Sequence, residues 1–325
     1  MKEKARISSL AAVATLICVI IFVSSNKAPE STQPPKEGSR VGNTYPIDIP
    51  TSTTFAGEVI DLTLQDRRER MDKELLSFTY SHINTLLIIK RANRLFPIVE
   101  PVLKECGVPD DFKYLMIIES NGDPEAVSPS KACGLWQFLE STGREYGLEI
   151  NGEIDERYHT VKATRAACRY LKESYEIFGD WLTVAASYNT GRANITKRQE
   201  RQKQQKAIDL VLPDETSRYM FRLMAVKTIF ENPAKYGFIL RSNDLYPVIP
   251  AIQEVIVKGN IKSWADFAKS HGITFRELRE ANHWIRWTEL TNKNKRSYKV
   301  QIPDKNALRY NPAETKAHNP NWVIE

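Results

Sequence analysis

A chain of 325 residues has room for one catalytic-sized domain and a smaller companion. Its 42% hydrophobic and 26% charged residues are ordinary for a globular protein and exclude extensive disorder outside the ends. A net charge of +6 suits an anionic polymer or an acidic membrane face equally, so charge by itself selects no partner.

Lys2, Lys4 and Arg6 precede an apolar run from Ile7 to Val23, after which come Ser24, Ser25, Asn26 and Lys27. Residues 1–25 therefore read as an export signal. At roughly 17 residues the run is at the short limit for a spanning helix, so a cleaved signal peptide and an uncleaved N-terminal anchor both stay open. Cys18 follows the large Ile17 inside this run, which argues against lipidation. Residues 26–56, rich in Pro, Ser, Thr and Gly, read as a linker. Beyond them lie Cys106, Cys133 and Cys168, an odd number for an exported protein. Two readings stand: a Cys133–Cys168 staple under the loop at Gly134, or three buried thiols. No spacing resembles a zinc site and the five His residues do not cluster, so neither metal nor cofactor is expected.

From Val59 to Val102 apolar residues recur at helical spacing, predicting a helical lead-in. Gly107-Val108-Pro109 breaks it, and Asp110 or Asp111 can cap the helix that follows. That helix ends on Leu115-Met116-Ile117-Ile118-Glu119, and Ser120-Asn121-Gly122-Asp123-Pro124 stops it. A carboxyl group packed against aliphatic side chains is hard to ionise, so its pKa rises and it can donate a proton near neutrality. Glu119 is thus the candidate general acid, although an exposed Glu at a helix end would look the same in sequence. Further helices are predicted over Thr160–Phe178, Trp181–Ser187 and Thr216–Phe230. The basic, Gln-rich run at residues 197–206 carries no interleaved aromatic residues to stack bases, which makes it a solvated helix or loop and argues against nucleic acid as partner. After about residue 245 the pattern changes. Glu254–Gly259 and Tyr298–Pro303 read as strands, with two helical patterns between them.

Four motifs appear in order: Glu119-Ser120, then Gly134-Leu135-Trp136-Gln137, then Ala186-Ser187-Tyr188-Asn189, then Glu215-Thr216 with Tyr219. The set resembles the family 1 lytic transglycosylases, and Trp136, Asp180-Trp181 and Leu212-Pro213 resemble most the D subgroup of membrane-bound murein transglycosylases. Cys133 and Ser187 stand where that family commonly has Ala. The resemblance implies a mainly α protein, with a lysozyme-like helical catalytic domain over residues 57–240. It implies that peptidoglycan glycan strands are cleaved without water at the β-1,4 bond between N-acetylmuramic acid and N-acetylglucosamine, leaving 1,6-anhydro-muramyl ends. Glu119 would act as general acid and then base, with the reacting C6 hydroxyl already held on the same sugar. Ser120 would orient the acid, Ser128 and Ser130 would lie near the acetamido pocket, and Gln137 would bond substrate or acid. Tyr188 would hold the Glu119 carboxyl group, Asn189 would bond substrate or backbone, and Tyr219 would line the groove or pack in the core. Asp123, Glu125 and Glu140 read as turn or cap residues, so no second carboxylate is assigned. Trp264-Ala265-Asp266-Phe267-Ala268, Gly272-Ile273-Thr274, Leu278 and Asn282 resemble a degenerate LysM module, a small α/β unit of βααβ order, over residues 250–303. Residues 304–325 read as a C-terminal tail. The implied location is the periplasm or cell envelope, with membrane association through the N-terminus as one outcome. A hydrolytic muramidase or chitinase of the same fold, and a non-catalytic wall-binding protein, are the alternatives.

Overall fold

The computed structural model describes residues 45–293 and 295–324. The expected export segment and most of the linker lie outside the described residues. The linker ends earlier than expected, because Ser52–Phe55 (β1) pairs antiparallel with Glu58–Asp61 (β2). Ala56 and Gly57 both take positive φ, 52° and 85°, a two-residue turn whose twist matches an antiparallel pair. The helical lead-in predicted from Val59 therefore begins only at Gln65, because Val59 itself lies in β2. The hairpin's four-residue strands carry too little periodicity to register in sequence; packing of Phe55 edge-on to Phe112 at 5.4 Å anchors them. Asp111 does not cap its helix as expected. Its carboxylate instead accepts the Ala56 N–H at 2.7 Å, tying the hairpin turn to the core.

Helices α1 (Gln65–Tyr80) and α2 (His82–Cys106) follow, then α3 (Phe112–Ser120), which carries Glu119. A short α4 (Glu140–Glu145) leads to α5 (Thr160–Phe178), α6 (Trp181–Thr190), α7 (Arg192–Gln202) and α8 (Asp214–Glu231). Residues 197–202 of the basic run are the end of α7, and the chain leaves it at Lys203 in the left-handed region. Helix α8 is central: Met220, Phe221, Leu223, Met224, Ala225, Val226, Ile229 and Phe230 are all buried, so nearly every face of it is covered. It packs on α1, α3 and α6. Tyr219 on this helix is itself buried, which bears on its role below.

The second core belongs to the smaller module. Antiparallel β3 (Ala251–Val257) and β4 (Tyr298–Pro303) enclose α9 (Trp264–Ser270) and α10 (Phe275–Ala281), giving the expected βααβ order. Thr274 and Glu277 form a reciprocal capping box at the start of α10. Ile154, from the helical domain, is buried inside this second core. Residues 304–324 do not trail away as a tail. Trp322 is buried between Phe96 and Phe230, with ring centroids 5.6 and 5.3 Å away, and its Nε1 donates to the Phe230 carbonyl at 2.8 Å. Short sequence around a lone Trp gives no periodic signal, so this docking was invisible. Among the described residues no helix is long and apolar enough to cross a membrane.

Candidate active site

Helix α3 stops because Asn121 and Gly122 both adopt left-handed backbone, at φ 52° and 64°. Glu119 is therefore held in the last turn, backed by the buried Leu115, Met116 and Ile118. Burial pushes its pKa up to about 7; a hydrogen bond from Tyr219 and the positive charge of Arg222 pull the other way, and the charge of Glu215 pushes it further up. The Tyr219 hydroxyl donates to Glu119 Oε1 at 2.5 Å. Glu215, Tyr219 and Arg222 are spaced by four and three residues, so they share the face of α8 turned toward the acid. Glu215 and Arg222 were missed as acting residues, although this spacing would have found them.

The tyrosines exchange the parts expected of them. Tyr188, predicted to hold the acid, donates instead to the Trp136 carbonyl at 2.7 Å. Its ring stands edge-on to Tyr170 at 5.2 Å, and the negative charge of Glu119, after burial, helps hold its phenol well above the usual pKa. It is a neutral wall of the site. Tyr219 holds the acid because α8 passes through the centre of the domain, whereas α6 presents Tyr188 to the neighbouring loop.

Residues 122–138 form that loop. Ser128 ties it with two bonds, its N–H to the Ala132 carbonyl at 2.9 Å and its Oγ accepting the Ala132 N–H at 3.0 Å. Gln137 takes φ 48° and spends its amide hydrogens on the Gly134 and Ala126 carbonyls, at 2.8 and 3.2 Å, and not on the acid. Gly134 is required: at φ 74° an added Cβ would sit 2.1 Å from the Arg157 carbonyl oxygen. Arg157, absent from the sequence reading because it lies outside every motif, donates to the Lys131 and Phe138 carbonyls at 3.1 and 3.2 Å, bridging the two arms of the loop. Asp155 holds its guanidinium at 2.7 Å. Trp136 is fully buried and donates to Thr164 Oγ1 at 2.9 Å, so it is core.

Ser120 is buried and donates back to the Met116 carbonyl at 3.0 Å, turned away from the acid it was expected to orient. Ser130 is exposed at the tip of the loop. Asn189 bridges α6 and α8, accepting from Thr216 Oγ1 at 2.8 Å and donating to Glu215 at 3.4 Å. The structure thus brings together Glu119, Tyr188 and Tyr219, with Asn189 linked through Glu215; Gln137 and Ser128 build the loop beside them. Of the carboxylates read as turn or cap residues, Asp123 faces Arg91 at 3.6 Å, Glu140 pairs with Arg144 at 2.9 Å, and Glu125 pairs with Arg286 at 3.0 Å.

Cys133 and Cys168 are not joined; both are free and buried, and the close thiol neighbour of Cys168 is Cys106. The staple fails because Cys133 turns inside its own loop toward the Lys131 carbonyl, at 3.4 Å. Among the described residues there is no group of three His, Cys, Asp or Glu side chains arranged to hold a metal ion.

A helical, lysozyme-like domain with a half-buried acid at a helix end, joined to a βααβ unit, defines a class. Residues 100–211 match the transglycosylase SLT domain, and residues 253–306 match the soluble lytic transglycosylase C-terminal LysM-like domain. Among individual proteins, the chain is 33% identical over 198 residues to the membrane-bound lytic murein transglycosylase D of Escherichia coli strain K12, covering 58% of this chain. The same identity relates it to the protein of that name from Escherichia coli O6:H1 strain CFT073. It is 22% identical over 187 residues to the membrane-bound lytic murein transglycosylase F of Klebsiella pneumoniae. The matched region spans 43% of the length of the transglycosylase D relatives.

Proposed function

We propose that this protein is a peptidoglycan lytic transglycosylase that acts in the cell envelope and cleaves the β-1,4 bond after N-acetylmuramic acid without water. One observation carries the reading: Glu119 is a half-buried carboxyl group poised near neutrality and held by Tyr219. A carboxyl group with a pKa of about 7 is protonated often enough to give its proton to the glycosidic oxygen, and basic enough afterwards to take one back. The proton lost in the first step is replaced from the C6 hydroxyl, whose oxygen closes on C1 of the same ring. The Tyr219 bond keeps the carboxyl oxygen fixed through both steps. Asp123, Glu125 and Glu140 are tied to arginines, and Glu215 is exposed and engaged with Asn189, so the stabilisation of the cationic sugar falls to the substrate's own 2-acetamido group. The relatives' names place them at membranes and on murein, and the N-terminal sequence reads as an export segment; both favour the envelope.

Mass spectrometry of soluble products from purified peptidoglycan tests this, using residues 27–325 and the Glu119→Gln variant. The expected products carry 1,6-anhydro-muramyl ends and disappear with the variant. Reducing ends that have gained water would make the enzyme a hydrolase, with Glu215 as the carboxylate to examine next. No product from the unaltered protein, with wall binding retained, would support the binding-protein alternative.

A further inference from the structure

The loop that follows the acid is gripped from the LysM-like module. Glu125, on this loop, receives the Arg286 guanidinium at 3.0 Å and that of Arg279 at 3.3 Å, with His283 Nδ1 at 4.0 Å. Arg286 also lies over the Tyr158 ring at 4.1 Å. A second path runs through the backbone. Ile154 and Ile285 pair as an antiparallel bridge, the Asp155 N–H donates to the Trp284 carbonyl at 3.0 Å, and the Arg286 N–H donates to the Glu153 carbonyl at 2.8 Å. Asp155 in turn orients Arg157, which bridges the arms of the loop. The residue after Glu125, Ala126, accepts from both Gly134 N–H and Gln137. A module serving only to catch glycan would need a tether, not a backbone bridge and a buried Ile154 in its core. Between the two paths lies a cleft of about 500 Å³ lined by Glu125, Tyr158, His159, His283 and Trp284, so the grip is made at discrete points and not by a continuous packed face.

We propose that the LysM-like module is a positioning element of the active site, with Glu125 and Arg286 as positioning residues that hold the 122–138 loop against Glu119. The inference rests on the transglycosylase reading but assigns the module a part in turnover that is separate from glycan capture. An ion pair whose partners are 45% and 28% exposed stabilises the fold weakly, so its loss loosens the loop without unfolding the protein.

The test is a double-mutant cycle of Glu125→Gln and Arg286→Gln in the full chain, read by steady-state kinetics and by amide hydrogen exchange. Glu125→Gln, which removes the pairs with both Arg286 and Arg279, should lower kcat about 5-fold with KM unchanged; Arg286→Gln should lower it less, and the double variant should lose no more than Glu125→Gln alone. The amides of Ala132, Cys133 and Gly134, which close the loop, should exchange faster while those of α8 do not. High salt should lower kcat of the unaltered protein toward that of Glu125→Gln, because the pair is screened. Unchanged exchange in the loop overturns the proposal, as does faster exchange with kcat intact or a loss confined to KM. If the unaltered protein makes no anhydro products, the transglycosylase reading fails, and loop exchange alone then decides whether the module holds the loop.

Discussion

Burial dominates the Glu119 proton, and three side chains, Tyr219, Arg222 and Glu215, modify its effect and can each be removed. Tyr219→Phe deletes the hydrogen bond that favours the carboxylate, so the Glu119 pKa should rise and the alkaline limb of kcat/KM should move to higher pH. The rate should fall about 10-fold to 100-fold, the worth of one hydrogen bond to a charged group. Glu215→Gln removes a like charge and should move the same limb to lower pH. The raised pKa also affects stability. Between the ordinary carboxyl value of 4.5 and about 7 the folded state holds a proton that the unfolded chain has lost, so stability falls as pH rises through that window. Glu119→Gln should therefore stabilise the protein at pH 8, by on the order of 3 kcal/mol, and change it little at pH 4. Urea unfolding at both pH values measures this; equal effects at the two would show that burial does not raise the pKa. The place of Glu119 at the end of α3 was legible in sequence because an apolar run ending on Glu before a turn is a local pattern. The identity of its hydrogen-bond partner was not, since Tyr188 and Tyr219 are equally plausible until the depths of α6 and α8 are known.

Polar groups hold both ends of α6: Asn189 bridges its C-terminal end to α8, and Asp180 caps its N-terminal end. Asp180 caps α6 by accepting the Thr183 N–H at 2.7 Å, and it also accepts from the Thr183 hydroxyl, whose oxygen receives the Ala207 N–H at 2.8 Å. Asp180→Ala should cost about 1–2 kcal/mol in urea unfolding, the range of a helix cap, with the upper end expected because the Ala207 bond is disturbed as well. A cost near zero would show that α6 is held by packing alone. The bounds of α5 matched the sequence reading because its apolar stripe is long and periodic, and Gly179 at φ 64° ends it. The β1–β2 hairpin was missed because two short strands bury only a few residues, so their order comes from Phe55, Ile60 and the Asp111 bond rather than from a period.

Across residues 46–324 the chain returns on itself: the stretch after β4 crosses back to the first domain and seats Trp322 against Phe96 and Phe230. Truncating that side chain opens a cavity in the catalytic core. Trp322→Ala should cost about 3–5 kcal/mol of stability, read by urea unfolding. Its loss should exceed that of any exposed ion-pair variant, and a cost under about 1 kcal/mol would mean that the closing segment is only loosely seated. The buried thiols belong to the same scale. Cys133 and Cys168 should react with a thiol reagent readily only on unfolding, since both are buried, whereas Cys106 is half-buried. Rapid reaction of Cys133 and Cys168 in the native protein would contradict this packing.

The sequence by itself determined the parts with local periodicity or a motif: the helical class, the bounds of α5, the βααβ order of the module, and the place of Glu119, the proposed acid, at the end of α3. Tertiary structure alone decided that Tyr219 and not Tyr188 holds that acid, that Arg157 closes the loop around Gln137, and that the module grips Glu125. These depend on how deeply α8 is buried and on which of several like residues arrive within hydrogen-bond reach. Side chains separated by a hundred positions in the chain are brought to 2.5 Å only by packing, as Glu119 and Tyr219 are.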